Sequence, residues 1–251
     1  MPAGSICLVT GGSGTIGLAI AKALVQGGAR KVILTGRSLS KLERAAASIV
    51  AADASKDGIV HCIPCDVTQE SSVESLFQTI DEQTGGHVNL LINNAGINAP
   101  GATVDLTAAD FRRVMDTNVV GPFLCAREAM KRMQGGDCNK GGRIINIGSL
   151  SASRPRPDSA PYTTSKFALL GLTHSLALDG RPHNIAVGII HPGNVASELL
   201  SEETKAERAH EGFLPAEQIA QAVLTMAQMP YESNILELTI APTAQPFVGR
   251  G

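Results

Sequence analysis

A tyrosine and a lysine four residues apart could together carry out acid and base chemistry. Tyr162 and Lys166 fall in one predicted helix, where this spacing places both side chains on the same face. A phenol ordinarily loses its proton only at about pH 10, and a neighbouring ammonium favours the phenolate. The pair therefore predicts a tyrosine that can give a proton to a reacting oxygen or take one from it.

Two further polar residues are expected to act with this pair. Ser149 follows a predicted strand, and open α/β sheets bind ligands beyond the carboxyl ends of their strands. Its hydroxyl can donate to a carbonyl oxygen as negative charge develops there, with Ser151 and Ser153 as nearby alternatives. Asn118 stands inside a long helical pattern. A buried amide there needs partners, which a chain of water molecules to Lys166 would provide.

A glycine-rich segment near the start of the chain has the spacing of a dinucleotide-binding loop. Residues 12–17 read G-x-G-x-x-G, directly after a predicted strand and at the beginning of a predicted helix. Glycines let the backbone approach a pyrophosphate, and a helix N-terminus presents unpaired N–H groups. A plain strand-to-helix turn is the alternative. The predicted contacts are Gly11, Ser13, Gly14, Thr15, Ile16 and Gly17.

A residue just after the second predicted strand indicates which dinucleotide binds. NAD sites have an acidic residue about 20 positions past the glycines, where it binds the ribose 2′-hydroxyl. Arg37 occupies that place after Gly17, and its guanidinium suits the additional phosphate of NADP. We therefore expect NADP(H), with a solvated turn arginine as the alternative.

These residues must be positioned by alternating strands and helices. Apolar, β-branched runs alternate with helical patterns, which predicts one doubly wound α/β Rossmann domain over residues 1–251. We expect a seven-stranded, mainly parallel sheet with helices on both faces. Residues 194–214 follow a Pro-Gly break, are charged and helical in composition, and are predicted to form a substrate lid or insertion. The predicted strands are 5–10, 31–35, 59–65, 88–93, 142–148, 185–190 and 235–240, and the predicted helices are 15–28, 39–54, 69–84, 107–134, 160–179 and 215–229.

Composition excludes several classes of function. The 251 residues are 43% hydrophobic and carry a net charge of −2, which fits a compact globular protein and disfavours nucleic acid or anionic membranes as partners. No apolar run is long enough to span a membrane, and the first one, residues 6–9, is too short for a signal peptide. The histidines form no clustered ligand set, so no metal is expected.

The cysteines predict a reducing compartment. Five scattered cysteines form no disulfide framework, and the Cys62-x-x-Cys65 pair falls inside a predicted strand without a second pair for zinc. They are interpreted as structural thiols, and the protein is expected to be cytoplasmic. The five are Cys7, Cys62, Cys65, Cys125 and Cys138.

The combined motifs resemble the short-chain dehydrogenase/reductase superfamily in its single-domain branch. The glycine loop, N-N-A-G at residues 93–96 and Y-x-x-x-K at residues 162–166 carry this resemblance, which covers nearly the whole chain. It implies hydride transfer at nicotinamide C4 between a small-molecule ketone or aldehyde and its alcohol. The implied roles are Tyr162 as the acid/base, Lys166 as its partner, Ser149 as the carbonyl binder and Asn118 as a water-relay residue.

The resemblance also implies further contacts with the cofactor. Asp66 would accept from the adenine amine, and Asn93 with Gly96 would line the adenosine ribose. The Pro192-Gly193 segment would pack on the nicotinamide, and Ser197 replaces the usual threonine that follows it. The complete set beyond the glycine loop and Arg37 is Ser38, Asp66, Val67, Asn93, Ala95, Gly96, Tyr162, Lys166, Pro192, Gly193, Val195 and Ser197.

The chain departs from the usual pattern in its glycine loop. The single-domain branch usually reads T-G-x-x-x-G-x-G, whereas residues 10–17 read T-G-x-x-G-x-x-G, as in the extended branch of epimerases and dehydratases. Too few residues follow Gly193 for the substrate domain of that branch. The segment 235–245 also lacks the ending common in acyl-carrier-protein reductases and looks more like the hydroxy-acid and clavaldehyde reductase group.

The substrate and some alternatives stay open at this stage. Residues 150–161 and 194–214 should line the pocket, and Arg154 or Arg156 could bind a carboxylate or phosphate there, with solvated loop arginines as the alternative. An NADP-binding isomerase or cyclase, or a noncatalytic NADP-sensing module, could use the same fold. The complete set of four catalytic candidates favours the oxidoreductase.

Two predicted helices favour self-association. Family members commonly pair the helices that correspond to 107–134 and 160–179, so a homodimer or homotetramer is expected. The apolar residues taken as surplus for one sheet face are Phe123, Ala126, Ala129, Met130, Met133, Phe167, Leu170, Leu172 and Leu176.

Overall fold

The computed structural model describes residues 4–53, 55, 57–134 and 141–247. Seven strands form one sheet in the order β3-β2-β1-β4-β5-β6-β7, and every neighbouring pair is parallel. The predicted α/β class is confirmed, and the sheet is wholly parallel. The strands are β1 Ile6–Thr10, β2 Lys31–Gly36, β3 Val60–Pro64, β4 Leu90–Asn93, β5 Gly142–Ile147, β6 Ile185–Pro192 and β7 Glu237–Ile240.

Helices cover both faces of the sheet because its central strands are apolar on both sides. In β1, Cys7 and Val9 pack in the core cluster that contains α1 and α8, whereas Ile6 and Leu8 pack in the one that contains α3 and α5. The α-helices are α1 Thr15–Gln26, α2 Leu39–Val50, α3 Glu70–Thr84, α4 Ala108–Met115, α5 Gly121–Gln134, α6 Ala160–Gly180, α7 Glu202–Glu207 and α8 Ala216–Gln228.

The direction of winding reverses between β1 and β4. From β1 the chain first adds β2 and β3 on one side, and then β4 to β7 on the other. Loops that leave the carboxyl ends of β1 and β4 therefore diverge and open a crevice, which is where doubly wound sheets bind ligands. The glycine loop, Arg37 and the N-N-A-G segment lie at the carboxyl ends of β1, β2 and β4 on this edge.

The predicted helix 107–134 is two helices joined by a π-helical turn. Thr107 caps α4 by accepting from the Asp110 N–H at 3.1 Å. The turn Asp116–Val120 then carries the chain into α5. Gly121 begins α5 in close contact with Val67, because a Cβ at Gly121 would lie 2.9 Å from Val67 Cγ2. Continuous helical periodicity conceals this turn.

Residues 194–214 contain much less helix than their composition predicts. The helix α7 spans only six residues, and a single 3-10 turn follows at Ala209–Glu211. The two ends of the segment are joined by a parallel bridge between Val195 and Leu214. The segment is therefore a closed loop that contains one short helix, and its role as a substrate lid or insertion stays a prediction.

The described cysteines are free, and burial affects their chemistry. Cys7, Cys62, Cys65 and Cys125 are free thiols, and Cys138 lies outside the described residues. Burial raises the pKa of Cys7 to about 12. Within residues 4–53, 55, 57–134 and 141–247, no helix is long and apolar enough to cross a membrane. The same residues contain no group of three or more His, Cys, Asp or Glu placed to hold a metal ion.

The nine apolar residues predicted to be surplus for one sheet face divide into three groups by burial. Leu170 and Leu172 are half-buried on α6. Phe123 and Phe167 are exposed, on α5 and α6. Five others are buried in the core of this chain, because α5 and α6 pack against the sheet. Their assignment to a surplus surface is therefore wrong. These five are Ala126, Ala129, Met130, Met133 and Leu176.

Candidate active site

A cavity of about 840 Å³ lies along the carboxyl edge of the sheet. The glycine loop, the loops after β2 and β4, the beginning of α6 and residues 192–200 all contribute to its walls. It brings together most of the predicted site residues. Those that line it are Gly11, Ser13, Gly14, Thr15, Ile16, Arg37, Ser38, Asp66, Val67, Ala95, Gly96, Ser149, Tyr162, Lys166, Pro192, Gly193, Val195 and Ser197.

Tyr162 and Lys166 lie on the first turns of α6 and face the same cavity. Lys166 is only 5% exposed, and its Nζ donates to the Ile147 carbonyl oxygen at 2.8 Å. The Nζ lies 5.4 Å from the centroid of the Tyr162 ring. The end of β5 thus holds the ammonium beside the phenol, as the spacing of four predicts.

Ser149 lies two residues beyond the end of β5 in an extended conformation, and its Oγ accepts from the Ser151 N–H at 3.1 Å. Because this contact uses an oxygen lone pair, the hydroxyl hydrogen stays available for a ligand. Of the three serines considered, Ser149 is the one that lines the cavity.

His191 holds the backbone of Ser149 through a hydrogen bond. This residue was not identified from the sequence. It is 6% exposed on β6, and its Nδ1 donates to the Ser149 carbonyl oxygen at 3.0 Å. Burial lowers the pKa of His191, although the Ser149 carbonyl and Glu237 favour the charged ring. A neutral imidazole that carries its proton on Nδ1 fits these contacts. A histidine inside an apolar strand, just before Pro192, is the signal that could have identified it.

Asn118 lies in the π turn and does not line the cavity. Its Oδ1 accepts from the Ile97 N–H at 2.9 Å, and its Nδ2 donates to the Ile97 carbonyl oxygen at 2.9 Å and to Ser165 Oγ at 3.0 Å. Protein groups therefore provide partners for both atoms of the amide, and the water chain to Lys166 stays a prediction. Asn118 braces the segment after β4 against the residue that precedes Lys166.

The glycine loop allows close approach of the chain to its neighbours. Gly11 has φ +62°, and a Cβ there would lie 3.0 Å from Ala95 Cα. Gly17 does not line the cavity; a Cβ on it would lie 2.3 Å from the Gly11 carbonyl oxygen. Its predicted cofactor contact is therefore corrected to close packing of α1 against the loop. The Thr15 N–H and hydroxyl both donate to Glu198, which the sequence analysis did not identify.

Two cationic side chains line the end of the cavity beside β2. Arg37 is exposed and, within the part of the chain that the structure describes, has no hydrogen bond or ion pair. Lys41, four residues later in the first turn of α2, also lines the cavity. A lysine in the first helical turn after Arg37 is the signal that could have identified it. Together these side chains can bind a phosphate group.

The adenosine side of the crevice differs from prediction at Asn93. Its side chain is buried and donates to Asn146 Oδ1 at 2.9 Å and to the Pro122 carbonyl oxygen, so it holds the sheet to α5 and does not line the cavity. Asn94, next in the chain, lines it instead because side chains alternate along a strand. Asp66 lies beyond the end of β3, where Oδ1 accepts from the Thr68 N–H.

The Pro192-Gly193 segment is backed by residues close to the C-terminus. Gln245 accepts from the Asn194 N–H at 2.9 Å and donates to its side chain, and a Cβ on Gly193 would lie 2.2 Å from Gln245 Oε1. Of the two loop arginines, Arg156 lines the cavity, whereas Arg154 stacks on Phe247 with its Cζ 5.9 Å from the ring centroid.

These residues fit a nicotinamide dinucleotide. The loop would exclude side chains at Gly11 and Gly17, the α1 N-terminus presents N–H groups, and the cavity continues from Arg37 to Tyr162 and Lys166. A cavity of this volume is of the size that accommodates such a ligand together with a small molecule. Fold and site together define a dinucleotide-dependent oxidoreductase.

The chain belongs to the short-chain dehydrogenase family, whose model matches residues 5–208. It is 33% identical over 253 residues to farnesol dehydrogenase of Aedes aegypti, with 98% of each chain covered. It is 33% identical over 223 residues to the NADP-dependent (R)-specific alcohol dehydrogenase of Lentilactobacillus kefiri, covering 83% of this chain and 84% of that one. The solved structure of a metagenomic short-chain oxidoreductase in complex with NADP is 31% identical, with a TM-score of 0.80 over 96% of this chain and 98% of the other.

Proposed function

We propose that the protein is an NADP(H)-dependent oxidoreductase that interconverts a ketone or aldehyde and the corresponding alcohol. The observation that carries this proposal is the convergence of Ser149, Tyr162 and Lys166 on the cavity that also contains the glycine loop and Arg37. The preference for NADP rests on Arg37, and it is supported by the NADP dependence of the bacterial relative.

The residues divide the chemistry between them. A nicotinamide dinucleotide, held by the glycine loop and by Arg37, would supply the hydride that a carbonyl carbon accepts. Ser149 donates its free hydroxyl hydrogen to the carbonyl oxygen and stabilises the charge that develops there. Tyr162 gives its proton to the same oxygen, which completes the alcohol, and takes a proton from the alcohol in the reverse direction. The Lys166 ammonium stabilises the phenolate left behind.

His191 and Asn118 act as positioning residues in this proposal. His191 fixes the backbone of Ser149 through its carbonyl oxygen, and Asn118 fixes Ile97 and Ser165 around the entrance to the cavity. Neither contacts the space where the carbonyl group would lie. They hold donor groups in one orientation so that little reorganisation is needed during the reaction.

The chain's two tyrosines provide a matched test. Tyr162→Phe keeps the ring but removes the proton donor, so NADPH-dependent reduction of a panel of ketones and aldehydes should fall by about 10²–10⁴ while NADPH still binds. Tyr231→Phe, in a residue that does not line the cavity, should retain the activity. Near-normal turnover by Tyr162→Phe would favour the isomerase or the noncatalytic NADP-sensing function.

The same proposal includes a cytoplasmic homodimer or homotetramer. The free thiols support a reducing compartment, and the exposed rings of Phe123 and Phe167 support contact between the α5 and α6 faces of two copies. Light scattering at micromolar concentration measures the mass directly. A value near the 26.1 kDa of one chain would contradict the assembly.

A further inference from the structure

Glu198 lies where an anionic group of a cofactor is expected to bind. Its carboxylate accepts from the backbone N–H of Thr15, with 2.9 Å to Oε1, and from the Thr15 hydroxyl. Thr15 is the first residue of α1, and Gly14 before it provides no side-chain cap. The carboxylate therefore uses one of the unpaired N–H groups on which the anion affinity of a helix N-terminus depends.

The carboxylate also covers the open face of the glycine loop. A Cβ built on Gly14 would lie 3.5 Å from Glu198 Oε1, so the carboxylate lies against the surface that the missing side chain leaves accessible. Glu198 itself lines the cavity together with Gly14 and Thr15. A pyrophosphate that approached this loop would meet a negative charge already in place.

This contact gives a reason for the unusual glycine loop. Thr15 stands where the single-domain pattern T-G-x-x-x-G-x-G has glycine, and its hydroxyl supplies a second donor to Glu198. The two residues are 183 positions apart, so the contact ties the loop to the segment 194–214. Glycine would offer the N–H alone.

Glu198 is ionised at neutral pH in this arrangement. Burial opposes its ionisation, but the hydrogen bonds from Thr15 and the nearby Lys205 hold the pKa of Glu198 below its usual range. Lys205 itself pairs with Glu202, so it is shared between two carboxylates. The group at the α1 N-terminus is thus an anion, as a phosphate would be.

We propose that Glu198 sets the affinity of the cofactor site by competing with the cofactor's pyrophosphate for Thr15. The proposal rests on the proposed function only in taking a nicotinamide dinucleotide as the ligand. The carboxylate must leave Thr15 before the pyrophosphate can use this N–H, because two anions cannot share one donor without repulsion. Binding then requires a minor, released conformation, which raises the apparent Kd in proportion to its rarity.

The test is the Kd of the full-length protein for NADPH and, separately, for NADH, measured by nicotinamide fluorescence. Glu198→Ala should lower both values about tenfold, since it removes a charge-assisted contact and the pyrophosphate is common to the two ligands. The Kd values of Glu198→Gln should fall between those of Glu198→Ala and those of the wild type. Glu203→Ala is the matched control, because it removes the same charge from an exposed position on α7 and should change Kd less than twofold.

A second variant locates the effect at the loop. Thr15→Ala removes the hydroxyl contact, so the gain from Glu198→Ala should shrink in that background. An equal gain in both backgrounds, an equal gain from Glu203→Ala, or an unchanged or higher Kd in Glu198→Ala would each overturn the role of Glu198. Absence of binding of either nucleotide by every variant would instead overturn the proposed function, and with it this inference.

Discussion

Removal of the Lys166 ammonium should slow carbonyl reduction by an amount that the structure allows us to calculate. The Nζ lies 5.4 Å from the Tyr162 ring centroid. With the phenolate charge placed at that centroid, an effective dielectric constant of about 20 gives about 3 kcal/mol between the ammonium and the phenolate. Loss of that stabilisation in the transition state corresponds to a decrease of roughly 150-fold in rate. Lys166→Met preserves most of the buried volume while it removes the charge.

The assay is single-turnover oxidation of bound NADPH by a carbonyl substrate. Lys166→Met also leaves the Ile147 carbonyl oxygen without its donor, so a loss of stability of about 1–3 kcal/mol is expected and should be measured by thermal unfolding. Lys22→Met is the control, since it removes the same charge from α1 outside the cavity. A folded Lys166→Met variant that reacts within fivefold of the wild type would refute the electrostatic role.

Two other substitutions test the cofactor and the support of Ser149. Arg37→Ala should weaken NADP⁺ roughly tenfold or more and leave NAD⁺ unchanged in titrations, because only NADP carries the additional phosphate; equal losses for both would contradict its assignment. His191→Leu removes the donor to Ser149 and should lower kcat/KM for the carbonyl about tenfold at unchanged NADPH affinity. His191→Asn can still donate from its amide and should restore much of this loss, whereas equal defects in both variants would indicate a purely packing role.

Local signals predicted the fold and the residues at its strand ends. The first and last residues of each predicted strand lie within about two residues of those observed. A sheet buried on both faces requires uninterrupted apolar residues, which a sequence shows directly. Tyr162 and Lys166 could be placed together since helical geometry alone fixes their relative position. Ser149 and Arg37 follow from the rule that ligands bind at the carboxyl ends of parallel strands.

Contacts between distant segments could not be predicted in this way. The pairing of Thr15 with Glu198 depends on how the segment 194–214 folds back, and no local pattern encodes that path. Asn93 and Asn94 were confused because one position along a strand reverses which face a side chain meets. The partners of Asn118 were missed since Ile97 comes from a loop after β4 that has no periodicity of its own and Ser165 comes from α6, 47 positions away.

The π turn at Asp116–Val120 has a consequence for insertions, deletions and redesign. A π turn holds one residue more than a regular helix would, so deletion of any single residue there would restore continuous α-helix. Because the wide turn absorbs the additional residue, α5 would keep its orientation relative to α4, and Cys125 and Ala129 would stay against the sheet. A designer who regularised this helix would keep the core face of α5 but displace Asn118, and would lose the hydrogen bonds that its amide makes with Ile97 and Ser165. The number of residues in this turn should therefore resist change even where its side chains vary.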